Sequence, residues 1–169
     1  PGLTVLQADV FDDADLRRLM VDHDAVVHLI AILHGTQASF ERTHVALPQK
    51  IAQACLATGV KRLVHVSALG ATLNGPSMYQ RSKARGEAVL QAAGLDLTVL
   101  RPSVIFGDGD RFLTLFAQLQ KIAPVVPLAG SATRFQPVWV EDVAQAIANC
   151  LLGAPQLAPS ATVGQVYDL

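Results

Sequence analysis

Charge is scarce in this chain: Lys, Arg, Asp and Glu make up 16% of its 169 residues, against 51% hydrophobic. That pairing excludes disorder, a coiled coil and a polar repeat array. An excess of one sign is lacking too. With 13 basic and 14 acidic residues and a pI near 6.6, neither nucleic acid nor an anionic membrane is expected as the main partner. Cysteine is limited to Cys55 and Cys150, far apart in Ala-rich, helix-like stretches. Packed, reduced thiols are expected there rather than a disulfide framework or a zinc site, and His23, His34 and His44 have no zinc-like spacing. No metal site is expected. No apolar run of about 18 residues or more could span a bilayer, although the mean hydropathy is +0.36. No secretory leader pattern follows Pro1, so a cytoplasmic location is the expectation.

The apolar surplus must therefore enter a core. Short apolar segments alternate with amphipathic ones, the rhythm of βαβ units, so the expected fold is α/β with a doubly wound parallel sheet. Strands are expected over 3–7, 25–32, 61–67 and 97–100, and helices over 13–21, 40–58 and 77–93. Gly59 and Gly94 end the second and third helices, and Pro48 either bends the second or opens a new one. Beyond Arg101 the pattern loosens. A helix over 112–122, short strands around Val125 and Phe135, a helix over 141–152 and a strand over 166–169 are expected. The chain reads as one domain, with the central sheet in 1–103 and a smaller, substrate-side part in 104–169. No internal repeat or long low-complexity block is present.

In open parallel sheets, ligands bind beyond the carboxyl ends of the strands. Those ends carry Asp9 and Val10, Leu29 to Ala31, Val66 and Ser67, and Arg101 to Ser103, all on one rim. Such a set looks like half of a nucleotide crevice, though Asp and Ser are also ordinary caps and turn residues. The sharpest signal is Ser67, followed twelve positions later by Tyr79 and then Lys83. Tyr79 and Lys83 stand at i and i+4, on one face of a helix. A phenol titrates near 10 and is a poor base at neutral pH, but a neighbouring ammonium favours its anion. Ser67 could then hold a substrate oxygen while Tyr79 passes a proton.

These residues resemble the short-chain dehydrogenase/reductase superfamily, in particular its extended and atypical NAD-dependent epimerase/dehydratase group. Residues 79–87 are similar to that group's Tyr-x-x-Ser-Lys-x-x-x-Glu signature. The resemblance implies a Rossmann fold, NAD or NADP as cofactor, and Ser67, Tyr79 and Lys83 as catalytic residues. It further implies cofactor contacts from Asp9 and Val10 at the adenine end. Ile30, Ala31, Val66, Tyr79, Lys83, Pro102, Ser103 and Val104 are implied on the side of the nicotinamide. One branch is most similar, the nucleotide-binding accessory subunit of respiratory complex I and its bacterial relatives, on residues 40–45, Pro48, 111–113 and 135–144. In that branch the mitochondrial role is structural, and the mitochondrial form departs further from the Tyr-Lys signature than this chain does. Sugar-nucleotide epimerases usually place an Asn where this chain has His44, which is a departure from their proton relay.

Arg111, Arg134 and Trp139 fall where extended reductases close over substrate, so an arginine could pair with phosphate or carboxylate there. The plainer alternative is a solvated arginine beside a packed tryptophan. Glu141 and Asp142 suit the start of a helix. The family's opening glycine turn is missing, since the twelve glycines never place three within seven residues. If the family register holds, residues 3–7 form the third strand, and the expectation is a fragment lacking the N-terminal glycine-rich βα unit. Three functions stay open. They are an oxidoreductase or epimerase acting on an unknown small molecule, an NAD(P)(H)-binding accessory or assembly protein, and an NAD(P)-sensing regulator. A homo-oligomer or a membrane-complex partner, with peripheral attachment, stays open as well.

Overall fold

A computed structural model describes residues 2–110, 118–119, 121 and 135–169. Its main sheet has four parallel strands in the order β1-β2-β3-β6: β1 Ala25–His28, β2 Arg62–Val66, β3 Asp96–Arg101 and β6 Val166–Asp168. Parallel neighbours need crossovers, and the helices supply them. In chain order these are α1 Asp13–Met20, α2 Gln37–Glu41, α3 Leu47–Thr58, α4 Met78–Gln91 and α5 Val140–Leu152. A second, two-stranded parallel sheet joins β4 Ile105–Phe106 to β5 Val138–Trp139.

The period-two alternation of strands sorts side chains between two layers. Leu63, Leu97 and Val99 pack with Leu16 and Met20 of α1 and with Leu47, Ile51 and Cys55 of α3. Val64 and Leu100 turn the other way, against Cys150, Ala146 and Ile147 of α5. Helices thus cover both faces, which is why the strands read as continuous apolar runs. Both cysteines are buried free thiols. Cys55 lies 3.7 Å from the Met20 sulfur, and burial pushes its pKa up to about 11.

Local chemistry sets the helix ends. Ser77 opens α4 with a capping box: its Oγ accepts the Gln80 N–H at 3.1 Å, and Gln80 Oε1 accepts the Ser77 N–H at 3.3 Å. Gly59 closes α3 at φ +80°, a conformation that penalises any residue with a Cβ. On the α5 side, Arg62 of β2 acts as a clasp. One guanidinium nitrogen donates to Thr98 Oγ1 at 2.8 Å, to the Cys150 carbonyl at 2.9 Å and to Thr162 Oγ1 at 2.8 Å. Three separate segments are held by that one group.

Several expectations shift. Residues 3–7 form no strand, and Leu3 is 90% exposed. A strand needs a ladder partner, and among the described residues β1 has none on its outer edge. The strand over 25–32 stops at His28, where the chain turns into the rim. The helix over 40–58 begins earlier, at Gln37, and widens into a π-helical turn over Arg42–Ala46 before α3 starts with Pro48 in its first turn. Pro48 therefore opens a helix, as its missing N–H favours. The short strand near Phe135 lies at Val138–Trp139. The helix over 112–122 and the strand around Val125 fall largely outside the described residues.

Candidate functional site

The rim forms where β1, β2 and β3 end side by side. Backbone bonds carry the register past the strands: Ser67 N–H donates to the Leu100 carbonyl at 2.7 Å, Leu69 N–H to that of Pro102 at 2.9 Å, and Ser103 N–H to that of Leu169 at 2.9 Å. Ser67, Pro102 and Ser103 are thereby held on adjacent segments. Leu29, Ile30 and Ala31, beyond β1, are exposed on the same rim. Val66 and Val104 are half-buried. Asp9 is exposed and accepts the Phe11 N–H at 2.9 Å, the turn role open to any Asp, while Val10 packs against the α1/α3 core.

α4 supplies Tyr79 and Lys83, one turn apart. Lys83 is 1% exposed, and its Nζ donates to the Val66 carbonyl at 2.9 Å, one residue before Ser67. Burial lowers its pKa to about 8, against the pull of Glu87, one turn further on, which raises it. Ser67 Oγ is buried and has no hydrogen-bond partner among the described residues. The Tyr79 ring stands edge-on to His44 and Phe40, with centroids at 5.5 and 6.4 Å. Burial raises the Tyr79 pKa above its ordinary value. The direction is opposite to the lowering expected from a neighbouring ammonium, because burial disfavours the phenolate. Tyr79 is a neutral phenol, suited to giving a proton.

Two histidine arrangements were not legible in the sequence. His28 and His65 are register partners on β1 and β2, stacked at 4.8 Å with their Nδ1 atoms 2.7 Å apart. One Nδ1 must donate and the other accept, so one ring carries its proton on Nε2 and the other has a bare Nε2. Neither Nε2 has a partner among the described residues. Burial first, and then Lys83, lower the His28 pKa to about 3 and hold His65 well below its ordinary value. The second arrangement joins His44, on the π-helical turn, to Ile32 and to Ser82 of α4, at 3.1 and 2.8 Å. Burial and Lys83 hold His44 at about 4, so Lys83 is the cation of this cluster. The residue types were visible; the partners lie 37, 12 and 38 positions apart, with no spacing rule to connect them.

Trp139 lies on β5, 48% exposed, beside Phe106 of β4. Arg111 and Arg134 lie outside the described residues. Among the described residues, no three or more His, Cys, Asp or Glu side chains cluster as metal ligands, and no helix is long and apolar enough to cross a membrane.

A family profile described as NAD(P)H-binding matches residues 1–153. The chain belongs to this NAD(P)H-binding family. The match runs through the whole rim, α4 included. Similar proteins include NADH dehydrogenase (ubiquinone) 1 alpha subcomplex subunit 9 of Mus musculus, 39% identical over 150 residues, or 87% of this chain and 40% of that protein. A ceramide reductase of Caulobacter vibrioides is 30% identical over 159 residues, 91% of this chain and 50% of that enzyme. Among solved structures, a dTDP-glucose 4,6-dehydratase of Streptomyces venezuelae with NAD bound superposes with a TM-score of 0.81 at 26% identity, over 95% of this chain and 56% of that one. A UDP-glucuronic acid 4-epimerase of Bacillus cereus, 18% identical with a TM-score of 0.77, shares the fold. The chain spans about 40% of the length of the complex I subunits it matches and about half that of the reductase. The epimerase/dehydratase type of Rossmann fold read from residues 79–87 is the fold of this NAD(P)H-binding chain.

Proposed function

We propose that the protein containing this chain binds NAD(P)(H) and acts as an oxidoreductase or epimerase on a small or nucleotide-linked carbonyl or alcohol. One observation carries the reading. Among the described residues Ser67 Oγ is buried without a partner beside Val66, whose carbonyl holds Lys83, and Lys83 shares a helix face with Tyr79. A buried hydroxyl left unpaired costs about 1–3 kcal/mol, so a packing role does not account for it. A substrate oxygen would satisfy it. The residues fit the nicotinamide half of a dinucleotide: the exposed apolar Leu29 and Ile30 offer a surface, and Val66, Pro102, Ser103 and Val104 line the rim beside them. Asp9 and Val10 would meet its adenine end.

When bound, the cofactor supplies hydride transfer to or from the substrate carbon. The chain's own part is proton management. Ser67 holds the reacting oxygen, Tyr79 gives it a proton from its hydroxyl in the reducing direction and takes one back in the oxidising direction, and Lys83 supplies the positive charge of the pocket. Trp139 borders the substrate side, with Arg111 and Arg134 assigned there from the sequence alone.

A second reading is supported by the 39% identity to a complex I subunit. In it, the protein binds NAD(P)(H) as an accessory or assembly factor, peripheral to a membrane complex and on its cytoplasmic side. Titration of the full-length protein with NADPH and NADH by fluorescence tests what both share; no binding at millimolar concentration removes both. Tyr79→Phe separates them. The catalytic reading expects loss of about 10²–10⁴ in turnover with unchanged dinucleotide affinity. Genetic rescue by a Tyr79→Phe protein without turnover favours the accessory role.

A further inference from the structure

We infer that His44 is a positioning residue that ties the β1 rim to the first turn of α4 by holding one tautomer, with its proton on Nδ1 and Nε2 bare. The directions of the bonds force this. The Tyr79 carbonyl can only accept, and Ser82 Oγ lies 2.8 Å from it, so Ser82 spends its one proton there. Ser82 must then accept from His44 Nδ1, 2.8 Å away. With its proton on Nδ1, His44 presents a bare Nε2 to the Ile32 N–H at 3.1 Å, which can only donate. Every link has a single allowed direction, from the amide of Ile32 to the carbonyl of Tyr79. Each bond holds the ring in the form the other requires.

The backbone is built for this span. His44 sits on the π-helical turn, a widened geometry that re-aims a side chain. Its carbonyl oxygen lies 2.0 Å from the point where Gly86 would carry a Cβ, so α4 comes close enough for one imidazole to reach Ser82 only because residue 86 is glycine. Both His44 and Ser82 are buried, and Tyr79 packs edge-on against the same imidazole. Ile30 and Ala31, just before Ile32, belong to the rim assigned to the dinucleotide. If that reading holds, occupation of the rim and the placing of Tyr79 are coupled through the His44 proton.

The coupling is testable in the free, full-length protein. ¹⁵N side-chain resonances of His44 should show the Nδ1–H tautomer; the Nε2–H form in wild type overturns the inference. Ser82→Ala removes the acceptor and frees the ring to place its proton on Nε2, facing Ile32. Amide exchange at Ile32 should then rise about tenfold while Val64, in the opposite layer, keeps its wild-type rate. An unchanged Ile32 rate overturns the inference. His44→Asn, which keeps a donor toward Ser82 but cannot reach Ile32, should reproduce the Ile32 effect. Adding NADPH should slow exchange at Ile32 and at residues 79–83 in wild type, and at Ile32 alone in Ser82→Ala. If NADPH slows neither in wild type, the dinucleotide reading falls, while the tautomer data still decide the role of His44.

Discussion

Lys83 carries the positive charge of a pocket whose three histidines are held neutral. Its own charge is precarious. At a pKa of about 8 it remains mostly ammonium at neutral pH but loses its proton in mildly alkaline solution. Glu87 opposes that loss, so Glu87→Gln should move the Lys83 titration below about 8, read by NMR of the ε-carbon. An unmoved titration would show that the two groups do not feel each other. Tyr79 and Lys83 were legible in the sequence because i,i+4 spacing is a local rule, and Ser67 because it ends an apolar run. The state of Tyr79 was not legible. Its raised pKa comes from burial against Phe40 and His44, which lie on elements 39 and 35 positions away.

Between elements, α4 is fixed to the sheet by an ion pair and to the π-helical turn by the lack of a side chain. Arg101 of β3 donates twice to Glu87, at 3.0 and 2.6 Å, and Glu87 is 3% exposed. Removing one partner of such a pair strands the other. Glu87→Ala should therefore cost about 1–3 kcal/mol in urea unfolding, since the Arg101 guanidinium left behind is only partly buried. Gly86→Ala makes a sharper comparison. Helix propensity favours alanine by about 1 kcal/mol, but its Cβ would fall 2.0 Å from the His44 carbonyl oxygen. The contact is with backbone and must displace α4, so the thermal midpoint should drop rather than rise. The helix over 77–93 was readable to within two residues from its serine cap and apolar spacing. The π-helical turn was not, because Arg42–Ala46 contains no residue that distinguishes it from ordinary helix. The turn packs against α4, a contact that no local pattern encodes.

For the whole molecule, three buried neutral histidines make acid sensitivity the main pH signature. Their pKa values are depressed in the folded state, to about 3 for His28 and about 4 for His44, from 6.5 in the unfolded chain. Between those limits the unfolded chain binds more protons, so stability rises with pH. It is complete above about pH 6.5 and is lost progressively as pH falls toward 4 and then 3. The urea midpoint should fall between pH 7 and 4.5, and His44→Gln should flatten the upper part of that slope. A flat midpoint would mean that the histidines are not held neutral. Asp13 and Asp15, paired with Lys50 and Arg18, act below pH 4 and leave that window clear.

The layer order was legible at this scale, since β1, β2 and β3 are apolar runs separated by helix-length segments. Residues 3–7 were misread as a strand for a reason no run of side chains reveals: an extended segment becomes a strand only when a neighbour accepts its hydrogen bonds. Arg62 shows how far such dependence reaches along the chain. Its partners at Cys150 and Thr162 are 88 and 100 residues downstream. During synthesis β1, β2 and β3 can therefore assemble while one of their own side chains still waits in water. A nascent chain halted before Cys150 holds all three of those strands but only one of the three acceptors, Thr98, that this guanidinium nitrogen uses.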